Sequence, residues 1–279
     1  MKLNTVLNDI ENKASVNIKS EQGDYVLNGL LHCGKCKTPK QAEVEIFGEI
    51  KRPMCLCKCE AGKRDDADRE FKRQQLEAQI QRNKRLGFAG SDIINCTFAN
   101  DDKHNKEIST VGLKYVENFE KIKADGKGLL FYGPVGTGKT YIAACIANAL
   151  IDKGYRCLVT NFARLVNTLQ GMYTGKQEYI DSLNKFDLLV IDDLASERDT
   201  EYMNEIIQLV INDRYLVKLP LIVTTNLTAK DLANPTDIKK ERLYSRLLEM
   251  CILVEVKGGD RRQGEIRKNI DDYKQLLGL

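Results

Sequence analysis

From Gly128 onward, short and nearly continuous apolar runs alternate with segments of helical period. The runs are GLLFYG, YRCLVTNF, FDLLVIDD, PLIVTTN and CILVEVK. Between them, stretches such as TYIAACIANALIDKG and TEYMNEIIQLVINDRYL have the apolar period of a helix. Near-continuous apolar strands joined by helices are typical of a parallel sheet that is buried on both faces. The pattern therefore predicts an α/β fold with a five-stranded parallel sheet sandwiched by helices.

The chain before Gly128 has a weaker pattern. Residues 1–32 carry modest periodicity, which favours a short helix and an irregular segment. The stretch Glu60–Phe88 combines mixed charge with few apolar residues and no proline, so we predict a largely solvated helix that joins two modules. Residues 96–113 are typical of a loop that enters another helix. The predicted domains are an N-terminal domain over 1–62, a helical linker over 63–95 and an α/β domain over 96–279.

Composition narrows the class of protein without naming a function. The 279 residues are 42% hydrophobic and 30% charged, which is typical of a folded chain with one sizeable core or two domains. The net charge is only +3, so contact with nucleic acid would depend on local basic patches. No apolar run reaches the roughly 20 residues that span a bilayer, and the N-terminus lacks the apolar segment of a signal peptide. We therefore expect a cytoplasmic protein without membrane contact.

The first apolar run ends in GPVGTGKT, which matches the phosphate-binding pattern G-x-x-x-x-G-K-[ST]. A predicted strand precedes the motif and a predicted helix follows it, so a chance match in a glycine-bearing turn is the weaker interpretation. Backbone N–H groups of such a loop bind phosphates, Lys139 adds positive charge, and the Thr140 hydroxyl is a ligand for Mg²⁺. The predicted nucleotide-binding residues are Gly133, Pro134, Val135, Gly136, Thr137, Gly138, Lys139 and Thr140.

Two further strands end in polar residues that fit the same site. The third run ends in Asp192 and Asp193. We assign Asp192 to Mg²⁺ together with Thr140, and Asp193 to the attacking water. The fourth run ends in Asn226, whose amide is a candidate for orienting that water. Taken alone, Asp and Asn at strand ends are also ordinary turn residues.

Five of the nine cysteines lie in CGKCKTPKQAEVEIFGEIKRPMCLCKC, residues 33–59. Thiolates at such spacings form tetrahedral Zn²⁺ sites, and the stretch between the two cysteine groups has the length of a small hairpin. Five cysteines exceed four ligands, and the usual spacing pairs Cys55 with Cys59, so one ligand is undecided. An Fe–S cluster and redox thiols are the alternatives.

The strings GPVGTGKT, VIDDL, IVTTN and ERLYSRLLEMC together resemble the P-loop AAA+ ATPases, specifically the DnaC/DnaI helicase-loader group with its phage-borne members and the related IstB transposition ATPases. The resemblance covers about Cys96–Arg262. It implies an Mg-ATP-dependent protein that loads the hexameric replicative helicase onto single-stranded DNA and is a homo-oligomer when bound to it. Hydrolysis is expected to be slow, because Asp193 stands where most AAA+ proteins have Glu. Only 23 residues follow Val256, so we expect the full C-terminal lid to be missing.

The resemblance also implies roles for particular arginines. Arg246 matches the family's arginine finger, which reaches the ATP of a neighbouring subunit, and Arg242 is the second choice. Without the family, a surface arginine near a helix end is the plain interpretation. Arg261 and Arg262 match a terminal basic string in which one arginine senses nucleotide in the same chain.

The family's N-terminal domain binds zinc and docks on the helicase. For this chain the resemblance implies the ligands Cys33, Cys36, Cys57 and Cys59, with Cys55 able to replace Cys57. Between the second and third strands, Tyr173, Lys176 and Tyr179 form an aromatic and basic mixture that would suit a single-stranded DNA channel. An ordinary amphipathic helix with exposed tyrosines is an equal alternative.

Two other functions compete with the loader. A transposition helper ATPase generally has no need of zinc knuckles ahead of its core, so the cysteine cluster favours the loader. A nucleotide-gated helicase adaptor with little turnover is favoured by Asp193 alone.

Overall fold

The computed structural model describes residues 20–88, 92–194, 201–235, 237–261, 270 and 273–278. The chain divides into two compact units, one that ends at Glu77 and one that begins at Ala78. The predicted boundaries at 62 and 95 stay predictions.

The first unit contains two short antiparallel hairpins. They are formed by β1 (Tyr25–Leu27) with β2 (Leu30–His32), and by β3 (Val44–Ile46) with β4 (Glu49–Lys51). Both turns, Asn28-Gly29 and Phe47-Gly48, have two consecutive residues with positive φ, which matches the twist of paired strands. The second hairpin lies in the predicted insert between the cysteines. The first hairpin lies where the sequence predicts an irregular segment before residue 32. The prediction misses it because strands of three residues are too short to show an alternating pattern.

A buried ion pair supports the first cysteine pair. Nζ of Lys40 lies 2.8 Å from Oδ2 of Asp24, and both side chains are buried. The other oxygen of Asp24 accepts a hydrogen bond from the N–H of Gly34 at 3.0 Å. The Lys40 ammonium is the main cause that lowers the pKa of Asp24 to about 2. Because Gly34 lies between Cys33 and Cys36, this network fixes the backbone of that turn.

A 31-residue helix, α1 (Lys58–Phe88), follows the last cysteines and confirms the predicted helix. Its exposed turns carry ion pairs of helical spacing, with Arg73 bonded to Glu70 at 2.7 Å and to Glu77 at 3.2 Å. Its last two residues, Gly87 and Phe88, are buried, and Phe88 joins the core of the second unit.

The second unit is built on a parallel sheet with the strand order β6-β7-β8-β5-β9. The five strands are β5 (Gly128–Tyr132), β6 (Cys157–Asn161), β7 (Leu188–Leu194), β8 (Leu221–Thr225) and β9 (Cys251–Glu255). Each matches one predicted apolar run to within one residue, so the predicted five-stranded parallel sheet is confirmed.

Helices cover both faces of this sheet. They are α2 (Lys106–Glu117), α3 (Phe119–Ala124), α4 (Lys139–Asp152), α5 (Phe162–Gln170), α6 (Lys176–Leu183), α7 (Glu201–Leu216), α8 (Ala229–Ala233) and α9 (Ile238–Met250), after a short 3₁₀ turn at Asp92–Asn95. One apolar core lies under α2 and α4, and the other under α5, α7 and α9. Among the described residues, no helix combines the length and apolar character needed to cross a membrane.

The strand order determines where polar side chains meet. In the sheet, β8 lies between β5 and β7. The loop after β5 is therefore close to the carboxyl ends of β8 and β7. The pairing of β7 with β8 is irregular between Ile191 and Leu194, where β7 ends. The carboxyl ends of these three strands therefore form one polar edge, the usual ligand site of parallel α/β sheets.

Candidate functional site

The GPVGTGKT segment forms a loop between β5 and α4. Gly133, Gly136 and Gly138 have φ of 137°, 78° and 95°, a region that L side chains rarely adopt. Nζ of Lys139 donates to the carbonyls of Gly133 at 2.9 Å and Pro134 at 2.7 Å. The loop therefore wraps around its own ammonium group, at the N-terminus of the helix where phosphates bind.

Asp192 lies against the start of α4. Its Oδ1 accepts hydrogen bonds from the hydroxyls of Thr140 at 2.8 Å and Thr224 at 2.5 Å. Burial raises the pKa of Asp192, although the two hydroxyls oppose the shift. One carboxylate and two hydroxyls are oxygen ligands of the kind that Mg²⁺ prefers. The donor set around Thr140 and Asp192 thus fits the metal predicted for it.

Asp193 has a different environment from its neighbour. Its side chain is exposed, its φ is 57°, and its N–H donates to the Thr224 hydroxyl at 2.9 Å. Asp is among the few residues that tolerate a positive φ, whereas a longer acidic residue is not enriched there. The backbone at this point gives a physical reason for an Asp at this position.

Part of this site lines a cavity of about 520 Å³, although Asp192 and Thr224 are not among its lining residues. Predicted residues that line it are Val135, Gly136, Gly138, Lys139, Thr140, Asp193 and Asn226, together with Arg261. Sequence reasoning missed four other lining residues, namely Cys96, Asn100, Asp102 and Tyr141. The ends of β5, β7 and β8, the segment before α2 and the segment after β9 thus contribute to one concave site.

Two polar residues of α4 hold the segment before α2 against the cavity. The buried amide of Asn148 donates to the carbonyls of Ile94 at 3.1 Å and Cys96 at 2.6 Å. The Tyr141 hydroxyl donates to the carbonyl of Thr97 at 3.1 Å. An asparagine inside an otherwise apolar helix is the sequence signal that could have indicated this support.

Arg246 lies outside this cavity. It is on α9, half-buried, with its guanidinium carbon 5.9 Å from the centre of the Tyr215 ring. Its Nη1 is buried without a hydrogen-bond partner among the described residues. Arg242, the second choice, is exposed on the same helix. The structure therefore does not bring either arginine to the site of its own chain.

Arg261, in contrast, is close to the P-loop. Its N–H donates to the Gly136 carbonyl at 3.1 Å, and its guanidinium forms an ion pair with Asp102. Arg262 and most of the chain that follows it lie outside the described residues, including the region of the expected missing lid.

The residues suggested for DNA contact are split. Tyr173 and Lys176 are exposed, but Tyr179 is half-buried and packs against the core. Contact with single-stranded DNA stays a prediction.

Four thiols meet in the first unit. The Sγ atoms of Cys33, Cys36, Cys57 and Cys59 all lie within 4.8 Å of one another. Those of Cys33 and Cys59 are 4.0 Å apart, close to the roughly 3.8 Å expected between ligands of a tetrahedral site with bonds of about 2.3 Å. Cys55 instead points its Sγ at the Pro39 carbonyl, 3.7 Å away. The geometry therefore favours Cys57 over Cys55 as the fourth ligand.

The four-thiol set also fits zinc chemically. Burial raises the pKa of Cys57 to about 12, whereas hydrogen bonding with Thr38 lowers that of Cys36 to about 5. A bound divalent cation offsets the cost of ionising a buried thiol, because a coordinating thiol is deprotonated. The four thiols are thus a donor set of the kind that holds Zn²⁺.

The fold and the cavity define a P-loop protein of the α/β class. The chain belongs to the family described as IstB-like ATP binding protein, which matches residues 48–269. The resemblance inferred from the four motifs is thereby confirmed.

Named relatives and solved structures agree with this family. The chain is 31% identical over 166 residues to the uncharacterized protein YqaM of Bacillus subtilis, covering 57% of this chain and 52% of that protein. It is 25% identical over 210 residues to the replicative helicase loader DnaI of Bacillus subtilis, covering 70% and 65%. It is 27% identical over 160 residues to the replicative helicase loader DnaC of Escherichia coli K12, covering 55% of this chain and 63% of that protein. The chain thus spans only about half to two thirds of these relatives.

Crystal structures of two such proteins have the same fold. A DnaI structure superposes with a TM-score of 0.53 at 25% identity, covering 64% of this chain and 99% of that one. The crystal structure of the DnaC helicase loader superposes with a TM-score of 0.52 at 26% identity, covering 60% of this chain and 100% of that one. The predicted AAA+ type of sheet is therefore confirmed.

Proposed function

We propose that this protein hydrolyses ATP with Mg²⁺ and uses that cycle to load a hexameric replicative helicase onto single-stranded DNA. The observation that carries the proposal is the cavity that unites Lys139, Thr140, Asp193 and Asn226, in a chain related to proteins named replicative helicase loaders. The four-thiol cluster ahead of the core favours a loader over a transposition helper.

Each residue of the cavity has a role in this proposal. Lys139 exchanges the carbonyls of its own loop for the β- and γ-phosphates, while the N–H groups of the loop bind the remaining oxygens. Thr140 and Asp192 hold Mg²⁺, which when bound supplies positive charge to the transferring phosphoryl group. Asp193 accepts a proton from the attacking water and Asn226 orients it.

The arginine finger acts between subunits in this proposal. Arg246 does not line the cavity of its own chain, so the finger of a given cavity must come from another chain. A neighbouring chain in a homo-oligomer supplies it, and hydrolysis by the isolated chain is slow. Assembly on the helicase then determines when ATP is hydrolysed.

The N-terminal region carries the partner contact. Zn²⁺ held by Cys33, Cys36, Cys57 and Cys59 stabilises a unit too small for a large core, and this unit docks on the helicase. The same proposal includes three domains, with limits at 1–62, 63–95 and 96–279. It also includes contact of Lys176 with single-stranded DNA and a cytoplasmic location.

A loading assay tests the function. The protein is mixed with a replicative helicase, the mass of the complex is determined, and unwinding is measured on circular single-stranded DNA with an annealed strand. We expect a complex and ATP-dependent unwinding that requires this protein. A complex without ATP turnover would favour the nucleotide-gated adaptor, and the absence of any complex would exclude the loader.

A further inference from the structure

Residues 257–261, which follow β9, cross over the P-loop. The N–H of Arg261 donates to the Gly136 carbonyl at 3.1 Å. A Cβ added to Gly136 would lie 1.9 Å from a side-chain oxygen of Asp260, and one added to Gly138 would lie 3.2 Å from Nη1 of Arg261. The guanidinium of Arg261 is therefore packed against the loop that binds phosphates, in the same cavity as Lys139.

An acidic residue of the same cavity holds that guanidinium. Asp102 Oδ2 forms an ion pair with Nη2 of Arg261, while Oδ1 accepts from the N–H of His104 at 3.0 Å. Both charged side chains are partly exposed, 33% for Arg261 and 54% for Asp102. The side chain of Asn105, in the same loop, donates to the Lys257 carbonyl at 3.3 Å. Residues 102–105 and 257–261 are thus joined at two points.

The two cations of the cavity have acceptors of different charge. Lys139 donates to neutral carbonyls, which offer little resistance to exchange for a phosphate. Arg261 is bound to a carboxylate, which is itself an anion beside the place where polyphosphate is expected. A bound polyphosphate carries several negative charges and fits the guanidinium fork in the same way as a carboxylate. The two anions therefore compete for one guanidinium.

We infer that Asp102 is a counter-ion that competes with nucleotide phosphates for Arg261, weakens nucleotide binding, and is released from Arg261 when nucleotide binds. This inference rests on the proposed binding of ATP. Asp102 acts through Arg261 and is a positioning residue. The loop before α2 thereby responds to nucleotide, although it carries none of the motifs of the family.

Calorimetric titration of the full chain with a non-hydrolysable ATP analogue and Mg²⁺ tests the inference. Asp102→Asn should tighten binding roughly 1.5- to 5-fold, the range that corresponds to an exposed ion pair. The same change in an Arg261→Ala background should have no effect, and Asp102→Glu should behave as wild type. Glu255→Gln is the matched control, because it removes an exposed ion pair with Lys257 of 3.3 Å outside the cavity lining.

The possible outcomes separate the two levels of the argument. Unchanged or weaker binding by Asp102→Asn, in a chain that otherwise binds the analogue, would contradict the counter-ion role alone. Equal tightening with and without Arg261 would also overturn it, because the effect would then be direct repulsion. A wild-type chain that does not bind the analogue, and does not differ from Lys139→Ala, would overturn the proposed function together with this role.

Discussion

The Thr140 hydroxyl donates a hydrogen bond to Oδ1 of Asp192 at 2.8 Å, although the two residues are 52 positions apart. This bond connects the first turn of α4 to the tip of β7. Thr224, from the strand between them, donates to the same oxygen at 2.5 Å. The oxygen ligands for a metal are thus arranged by the fold before any ligand binds, which reduces the reorganisation that binding requires.

Replacing Lys139 tests the phosphate site. Lys139→Ala should weaken ATP binding about 10- to 100-fold, because it removes charge-assisted hydrogen bonds worth about 1.5–3 kcal/mol. Titration calorimetry measures the affinity. Lys153→Ala is the matched control, since this lysine bonds the Val116 carbonyl at the other end of α4. Equal affinities of Lys139→Ala and wild type would show that the loop does not bind phosphate.

Asp192 should show opposite effects on stability and on metal binding. Burial raises its pKa, so the folded chain without metal is destabilised by the ionised carboxylate. Asp192→Asn keeps an oxygen for both threonine hydroxyls and removes that charge. We expect the Tm without ligand to rise by roughly 1–3 °C, since about 1 kcal/mol shifts a chain of this size by about 2–4 °C. Mg²⁺-dependent ATP binding should be lost in the same variant.

The dependence on pH has a definite sign. A raised pKa in the folded state means that the penalty is absent below the unfolded pKa of about 3.9 and appears as pH rises through the folded pKa. The difference in Tm between Asp192→Asn and wild type should therefore be present at pH 7 and shrink toward pH 4. Asp125→Asn is the control, because it neutralises an exposed carboxylate that follows α3 and shares no hydrogen bond with Asp192. A constant difference across this range would contradict the buried-charge explanation.

The two candidate cysteines give a paired test of the metal site. Cys57→Ser should lose zinc and lower the stability of the first unit, since the metal replaces a core that this unit is too small to form. Cys55→Ser should keep one zinc per chain, because its Sγ points at the Pro39 carbonyl. Elemental analysis of the purified full chain measures both. Loss of metal in Cys55→Ser, or iron in the wild type, would contradict the assignment.

How far the site can be predicted from sequence depends on the kind of contact. The P-loop, Asp192 and Asn226 follow from motifs placed at strand ends, because parallel strands bring their carboxyl ends to one edge. Thr224 and Asp102 do not follow, because their roles depend on partners 32 and 159 positions away. A hydroxyl at a strand end and an Asp in a turn have many ordinary uses.

The cysteine cluster shows the same limit at shorter range. Spacing did not decide between Cys55 and Cys57, because the usual spacing pairs Cys55 with Cys59 whereas the resemblance implies Cys57. The hydrogen bonds of Lys40 with β2 and with Cys55 fix the backbone around that turn, and this places Cys57 inside and Cys55 outside. Such a choice depends on tertiary contacts that no local pattern carries.

Arg246 provides the last test, because the finger proposed for it would act in a neighbouring subunit. It lies on the Tyr215 side of α9, and it is not among the residues that line the cavity of its own chain. Arg246→Ala should bind ATP as wild type does but lose helicase- or DNA-stimulated hydrolysis by up to about 1,000-fold, the effect of a catalytic finger. Arg246→Lys should also be impaired, since an ammonium lacks the planar fork. Arg242→Ala, on the same helix and exposed, should keep the stimulated hydrolysis if Arg246 is the finger.

Mixing two inactive variants distinguishes a finger in trans from a structural arginine. Arg246→Ala lacks the finger and keeps the P-loop, whereas Lys139→Ala lacks the P-loop charge and keeps the finger. Mixed oligomers contain interfaces in which an intact P-loop faces an intact Arg246, so part of the stimulated hydrolysis should return in proportion to those interfaces. A surface ion pair contributes at most about 1 kcal/mol, too little to explain a loss of this size or its recovery. If mixing restores nothing while the oligomers persist, or if Arg246→Ala alone hydrolyses ATP normally, Arg246 is not the finger and Arg242 is the next residue to test.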